Sequence, residues 1–275
     1  TAARDNEGAA RGRRLGPPGD RAGDGTRTAM FDRIDRFVRD LRLVESEEQL
    51  SSLLESISLE LGFAFFALTH HVDIRQAPQP AIRLATYPAE WVDYFDGQRL
   101  GPSDPVHRAS HLTSVGFAWS EVPAMIPLTR RDRDILDRAR LAGIGDGFTI
   151  PAHVPGESHG SCSFATRRGE PIEPDALPRA QLVGAFAFEA ARRLWKIRAV
   201  DKPVPGLTDR QRDCLLWAAR GKSDWEISRI LGISHETVIQ HLKQARERYG
   251  VGKRTLLAVH ALFDGTISFL DIVKP

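Results

Sequence analysis

Between residues 208 and 234 the sequence spells out three helix starts and two helix stops, and few folds satisfy that punctuation. Thr208 with Gln211 and Ser223 with Glu226 are capping boxes, in which each hydroxyl and the later polar side chain satisfy backbone N–H groups at a helix start. Ser234 caps a third helix, and Gly221 and Gly232 stop the first two. The first helix presents Cys214, Leu215, Trp217 and Ala218, and the second Ile227, Ile230 and Leu231. Ile233 plugs the core after the glycine turn, and the third helix turns Val238, Leu242 and Ala245 inward. Two helices joined through one tight glycine turn form a helix-turn-helix pattern. The outer face of the later helix carries His235, Glu236, Ile239, Gln240, Lys243 and Arg246. Amide and cationic side chains can read base edges, and an apolar one can meet a thymine methyl. The same apolar pattern also fits any small helical bundle.

Upstream, Lys202-Pro203-Val204-Pro205-Gly206 breaks any helix, so residues 201–206 read as a linker and 207–275 as a separate all-α domain. Residues 1–29 are rich in Gly, Arg and Ala and hold almost no large apolar residue, so they are expected to be disordered. The first methionine, Met30, stands before the first clear helical pattern, so the stretch reads as upstream sequence or as an Arg-rich arm. From there to residue 200 helical and strand patterns mix. Ile34, Phe37, Val38 and Leu41 share one helix face, and Leu50, Leu53, Leu54, Ile57 and Leu61 another. Strands are expected at 63–68, 82–86, 147–154 and 161–166, and short helices at 89–96 and 103–109. An amphipathic helix is expected at 128–142 with Ile135, Leu136 and Leu141 inward, and a long helix at 176–199. The fold class expected is α+β: an N-terminal α/β/α sandwich on a mainly antiparallel sheet over residues 30–200, followed by the helix-turn-helix domain.

Composition narrows the function. The net charge of +2 hides an uneven spread, with residues 201–275 at +3 behind a body of net −3, a hint of nucleic acid. Ordinary surface charge accounts for it equally well. No apolar run reaches the roughly 18–20 residues of a membrane span, and no secretory h-region is evident. Cys162 and Cys214 cannot build a disulfide scaffold or a four-cysteine zinc site, and they suit a reducing cytoplasm. His70 and His71 are adjacent at a strand end and face opposite sides, and no second ligand pair is evident, so no metal is expected. Ser161 and Cys162 lack the Gly-x-Ser-x-Gly elbow of a hydrolase, so no catalytic residue is assigned.

Leu207-Thr208-x-Arg210, Gly221-Lys222-Ser223-x-x-Glu226-Ile227, Leu231-x-Ile233-Ser234-x-x-Thr237-Val238-x-x-His241-Leu242 and Tyr249-Gly250-Val251 together resemble the DNA-binding domain of LuxR-type transcription factors. The resemblance implies that Ile239, Gln240 and Lys243 meet base edges. It implies that Thr237, His241, Arg246, Lys253 and Arg254 meet phosphates or backbone. Gln211 stands where that family usually has Glu, at a position tied to helix packing and RNA polymerase contact. In residues 30–200, Tyr87-Pro88-x-Glu90-Trp91, Asp104-Pro105-Val106 and Trp119 follow at intervals of thirteen and fifteen from Trp91 to Asp104 to Trp119. With Gly147-x-x-Ile150-Pro151 and Gly156-Glu157 ahead of a Ser-rich strand, they resemble the autoinducer-binding domain of LuxR-type quorum-sensing receptors. Singly, Trp91 and Trp119 fit a core and Asp104-Pro105 fits a helix start.

The residue types suit an N-acyl or aryl homoserine lactone. An indole N–H only donates, so Trp91 suits the lactone carbonyl, and the Asp104 carboxylate suits the amide N–H. Tyr87 and Ser163 can donate to the acyl carbonyl, and Trp119 offers a flat wall to the ring. Phe95, where the family often has Tyr, makes the pocket more apolar. A buried Asp104 would be short of partners without ligand, which is a reason for ligand-coupled folding. The expectation is a non-enzymatic, ligand-responsive regulator that needs no cofactor beyond its signal and binds double-stranded promoter DNA as a homodimer. RNA polymerase is a further implied partner and a membrane is not. The alternative is a regulator of the same build that answers a non-lactone small molecule or none.

Overall fold

The computed structural model describes residues 22–73, 81–155, 157–195 and 205–273, with side chains from residue 32 onward. The chain opens with helices α1 (Ala22–Leu41) and α2 (Glu47–Glu60), then strands β1 (Phe65–His70) and β2 (Arg83–Ala85). Short helices α3 (Ala89–Gly97) and α4 (Pro105–Ser110) lead to β3 (Phe117–Ala118), α5 (Val122–Met125) and α6 (Arg130–Leu141). The long strands β4 (Ile144–Ala152) and β5 (Gly160–Arg167) precede α7 (Leu177–Leu194). The C-terminal unit is helical: α8 (Asp209–Ala219), α9 (Asp224–Leu231), α10 (His235–Tyr249), α11 (Arg254–Phe263) and α12 (Phe269–Val273).

The five strands form one antiparallel sheet in the order β2-β1-β5-β4-β3. Because strand side chains alternate, each central strand serves two cores. Phe66 and Leu68, Phe148 and Ile150, and Cys162 and Phe164 face α1, α2 and α7 in the larger core. Phe65 and Ala165 sit in a second cluster on the opposite side, with Trp91, Leu100, Ile135 and Ile144. Each fully buried phenylalanine, such as Phe66 or Phe164, contributes about 1.5–3 kcal/mol. A Cβ on Gly184 would lie 2.9 Å from Ile150 Cδ1, so this glycine lets α7 lie close on the sheet. The arrangement is the expected α/β/α sandwich.

Some expectations need correction. Residues 22–29 are helical, because an amphipathic nucleus downstream propagates upstream at little cost per residue; residues 1–21 lie outside the described residues. The strand expected at 63–68 runs from 65 to 70, and the one expected at 147–154 starts at 144. Leu141 is 76% exposed. Ala139, one turn after Ile135, takes the inward place, whereas Leu141 lies about a third of a turn off that face. The long helix ends at Leu194 in the described residues, and 196–204 lie outside them, including most of the linker.

In the C-terminal unit the capping signals act as read. Thr208 Oγ1 accepts from Gln211 N (3.3 Å) and Gln211 Oε1 accepts from Thr208 N (3.1 Å). Ser223 and Glu226 exchange the same pair, at 3.3 and 2.8 Å. Gly232 ends α9 in the left-handed region (φ 64°), which glycine adopts without a Cβ penalty. Cys214, Leu215, Ile227, Val238, Leu242, Ala245, Leu257 and Ala261 form its core, while Ile230 is exposed.

Candidate functional site

The sheet face turned away from α7 carries a cavity of about 50 Å³. Tyr87, Trp91, Phe95, Asp104, Trp119 and Ser163, all six residues expected at the ligand site, line it. They come from four separate segments, which only the folded sheet brings together.

Asp104 has two jobs. Its Oδ1 accepts from Val106 N (2.9 Å) and His107 N (3.0 Å), capping α4, and Pro105 fills the first helical position. The carboxylate is therefore half satisfied, which narrows the sequence expectation to one oxygen: Oδ1 is satisfied by backbone. Oδ2 takes no hydrogen bond among the described residues, so an acceptor remains at the cavity wall. Burial, with Asp104 close by, pushes the Tyr87 hydroxyl well above its ordinary value, so it stays a donor. The Trp91 ring packs on Tyr94 and Phe95, both at 5.8 Å between centroids.

Trp119 follows β3, and its indole Nε1 donates to Thr149 Oγ1 (2.8 Å). Thr149 Oγ1 and Ser163 Oγ share a further bond (2.8 Å). This fixes the Trp119 plane and gives Ser163 a partner across β4 and β5. A Cβ on Gly147 would sit 2.4 Å from Trp119 Cε2, so glycine there lets the indole lie on the sheet. Sequence reading missed Thr69, Arg83, His107, Ile135 and Ala139 in the wall. Arg83 pairs with Asp96 (2.7 Å) and stands over the Phe95 ring at 5.3 Å. Arg83 has no motif of its own, but strand alternation from Ala85 could have pointed to the same face.

His70 and His71 do face apart: His70 meets Phe188 of α7, and His71 stacks on His107 at 3.9 Å. His107 and His111 contact His71, and His153 and His159 contact His111. These four come from distant sequence, so spacing gave no signal.

On α10, Ile239, Gln240 and Lys243 lie exposed on one face, while Thr237 is half-buried. Lys243 has one weak partner, Glu247, at 3.9 Å. His241 is half-buried with Nδ1 unbonded inside. Arg246 bonds the Gly252 carbonyl (3.1 Å). Arg254 is committed to the fold, donating to Asp224 (3.1 Å) and to the Lys222 carbonyl (2.9 Å), whereas Lys253 is exposed. Gln211 is buried and donates to Gln244 Oε1 (2.9 Å), tying α8 to α10.

The family model described as autoinducer binding domain matches residues 46–191, and that described as bacterial regulatory proteins, luxR family, matches 205–261. The chain is 32% identical over 245 residues to the HTH-type quorum sensing-dependent transcriptional regulator RpaR of Rhodopseudomonas palustris, covering 83% of this chain and 95% of that one. It is 24% identical to the transcriptional activator LuxR of Aliivibrio fischeri, covering 84% and 93%. Among solved structures, Escherichia coli SdiA superposes with a TM-score of 0.59 at 23% identity, covering 89% of this chain and 100% of that one. SdiA in complex with octanoyl-rac-glycerol gives 0.58 at 25%, covering 91% and 99%.

Proposed function

Given that the chain belongs to the LuxR family of quorum-sensing transcriptional regulators, with an autoinducer-binding and a DNA-binding domain, we propose that its signal is an N-acyl or aryl homoserine lactone held in the cavity beneath α3 and α4. The observation that carries this reading is the convergence there of Trp91, Asp104 and Tyr87, two donors and an acceptor on an apolar wall. Trp91 donates to the lactone carbonyl and Asp104 Oδ2 accepts the amide N–H. Tyr87 and Ser163 donate to the acyl carbonyl, Trp119 covers the ring, and Phe95 borders the tail. The cavity is about a third of the ~150 Å³ that admits benzene in an engineered core. A lactone therefore enters by moving these side chains apart, which couples binding to the packing of the domain. No cofactor or catalytic group takes part and no turnover is expected.

The bound form acts on double-stranded promoter DNA in the cytoplasm as a homodimer, each α10 entering a major groove of a pseudo-palindromic site. Ile239, Gln240 and Lys243 read bases. Thr237, His241, Arg246 and Lys253 contact the backbone, and Arg254 supports the helix pair. RNA polymerase is the further partner of an activator of this build.

A second reading has one observation behind it: the similar SdiA structure carries octanoyl-rac-glycerol, which is not a lactone. Equilibrium binding of N-acyl and aryl homoserine lactones and of octanoylglycerol to the wild type and to Trp91→Phe separates the two. The lactone reading expects lactone binding that weakens at least tenfold without the indole N–H. Binding of octanoylglycerol alone, or lactone binding indifferent to Trp91, would overturn it.

A further inference from the structure

Five histidines from three stretches of sequence form a continuous column from the cavity to the surface. His107 lines the cavity and is buried, as is His71, while His111, His153 and His159 are exposed. His71 stacks on His107 (3.9 Å) and on His111 (5.2 Å), and His111 lies 4.4 Å from His159 and 6.0 Å from His153.

The hydrogen bonds limit how many protons the column holds. A carbonyl only accepts, so His107 Nδ1 donates to Gly101 O (2.7 Å) and His153 Nε2 donates to Ser110 O (2.9 Å). Neutral His153 must then accept at Nδ1 from His159 Nδ1 (2.8 Å). His71 Nδ1 and His111 Nε2, 2.9 Å apart, have room for one proton between them, and His71 Nε2 bonds Ser161 Oγ (2.9 Å). A second proton in either ring-to-ring contact sets N–H against N–H.

Neighbouring charges offer no ready compensation. On α4, Asp104 caps the helix and Arg108 pairs with Asp132 (2.9 Å). Beyond β1, Asp73 pairs with Arg99 (3.8 Å), and His70 turns toward Phe188. Glu157, between β4 and β5, is engaged by Arg192 of α7, which also holds Glu189. Burial and the neighbouring imidazoles hold His71 well below the usual range, push His111 down to about 4 and lower His159.

The column also fastens α4 to the sheet. The stack on His107, the bond to His111 and the bond to the Ser110 carbonyl are three of the contacts that hold this six-residue helix, whose first turn presents Asp104 to the cavity. We propose that the column is a proton-sensitive wall of the signal pocket: neutral, it fixes α4, and in mildly acid solution its protonation releases α4 and weakens signal binding. This rests on the cavity being the signal site.

The test is amide hydrogen exchange of segment 104–112 in the full chain at pH 7.5 and pH 5.0, corrected for intrinsic exchange. It is paired with the affinity for the member of a homoserine lactone panel that binds best at pH 7.5. Both are repeated in His153→Gln/His159→Gln, which removes two exposed rings. Each unit by which a histidine pKa in the docked column lies below its value in the released one is up to a factor of ten in the docking equilibrium. The wild type should therefore show roughly tenfold faster exchange and tenfold weaker binding at pH 5.0, and the double variant, which keeps His71 and His111 but relieves their crowding, a clearly smaller change in each. Equal responses in both proteins, or none in either, would overturn the proposal. If no lactone binds at pH 7.5, the lactone reading fails, and the exchange difference alone decides whether the wall responds to protons.

Discussion

Asp104 serves the fold through one oxygen, and on the proposed reading serves the ligand through the other. Asp104→Asn keeps an oxygen for the α4 cap but replaces the charged acceptor. It should fold near the wild-type midpoint and bind lactone about 10–100-fold more weakly, the loss of a charge-assisted bond worth ~1.5–3 kcal/mol. Asp104→Ala should lose the cap as well, about 1 kcal/mol of stability read by denaturant unfolding. Gly147→Ala probes the opposite wall. The added Cβ meets the Trp119 indole at 2.4 Å, so the variant should melt several degrees lower and lose lactone binding. A midpoint and affinity equal to wild type would show that the indole is free to move. Trp91, Asp104 and Trp119 were legible in the sequence through the family resemblance that their joint spacing carries, since each alone fits a core or a helix start. Arg83 and His107 were not, because strand register and helix docking bring them to the cavity, and Thr149 was not, because register alone sets it under the Trp119 indole.

At the scale of elements, legibility followed locality. The helix starts at Thr208, Ser223 and Ser234 could be read because each cap closes within three residues. The docking of α4 could not, because its partners lie far off in sequence, 43 positions away in the His153 bond to Ser110. The same local logic sets an acid limit for α9. Bonds from the Ser223 backbone N–H and hydroxyl, with Lys222, hold Glu226 down at about 2 against an ordinary 4.5. A carboxylate lowered in the folded state contributes stability above its unfolded value, and that contribution fades as pH falls from about 4.5 to 2. Thermal midpoints across that window should fall more steeply for the wild type than for Glu226→Gln. Parallel curves would show that the box adds nothing. On α10 the exposed Lys243 and the committed Arg254 predict different failures. Lys243→Ala should leave the melting curve intact and weaken DNA binding or relax one base preference, at about 1–3 kcal/mol of discrimination. Arg254→Ala should first lower the midpoint, because it unties α11 from the start of α9. An unaltered footprint for Lys243→Ala would remove that face from DNA recognition.

The whole molecule joins a sandwich with a narrow, polar-edged cavity to a helix-turn-helix unit, and on the proposed reading a ligand in that cavity links the two. If the signal enters a cavity this small, binding must rearrange its packing, so signal should appear as stability before it appears as DNA affinity. The most direct measurement is thermal unfolding of the full chain with and without a panel of N-acyl and aryl homoserine lactones, each at saturating concentration. A ligand at 100 times its dissociation constant adds about 2.7 kcal/mol, a shift of several degrees in a chain of this size. The account predicts such a shift for one tail class and its loss in Trp91→Phe and Asp104→Asn. A chain that melts at the same temperature with every lactone would contradict it.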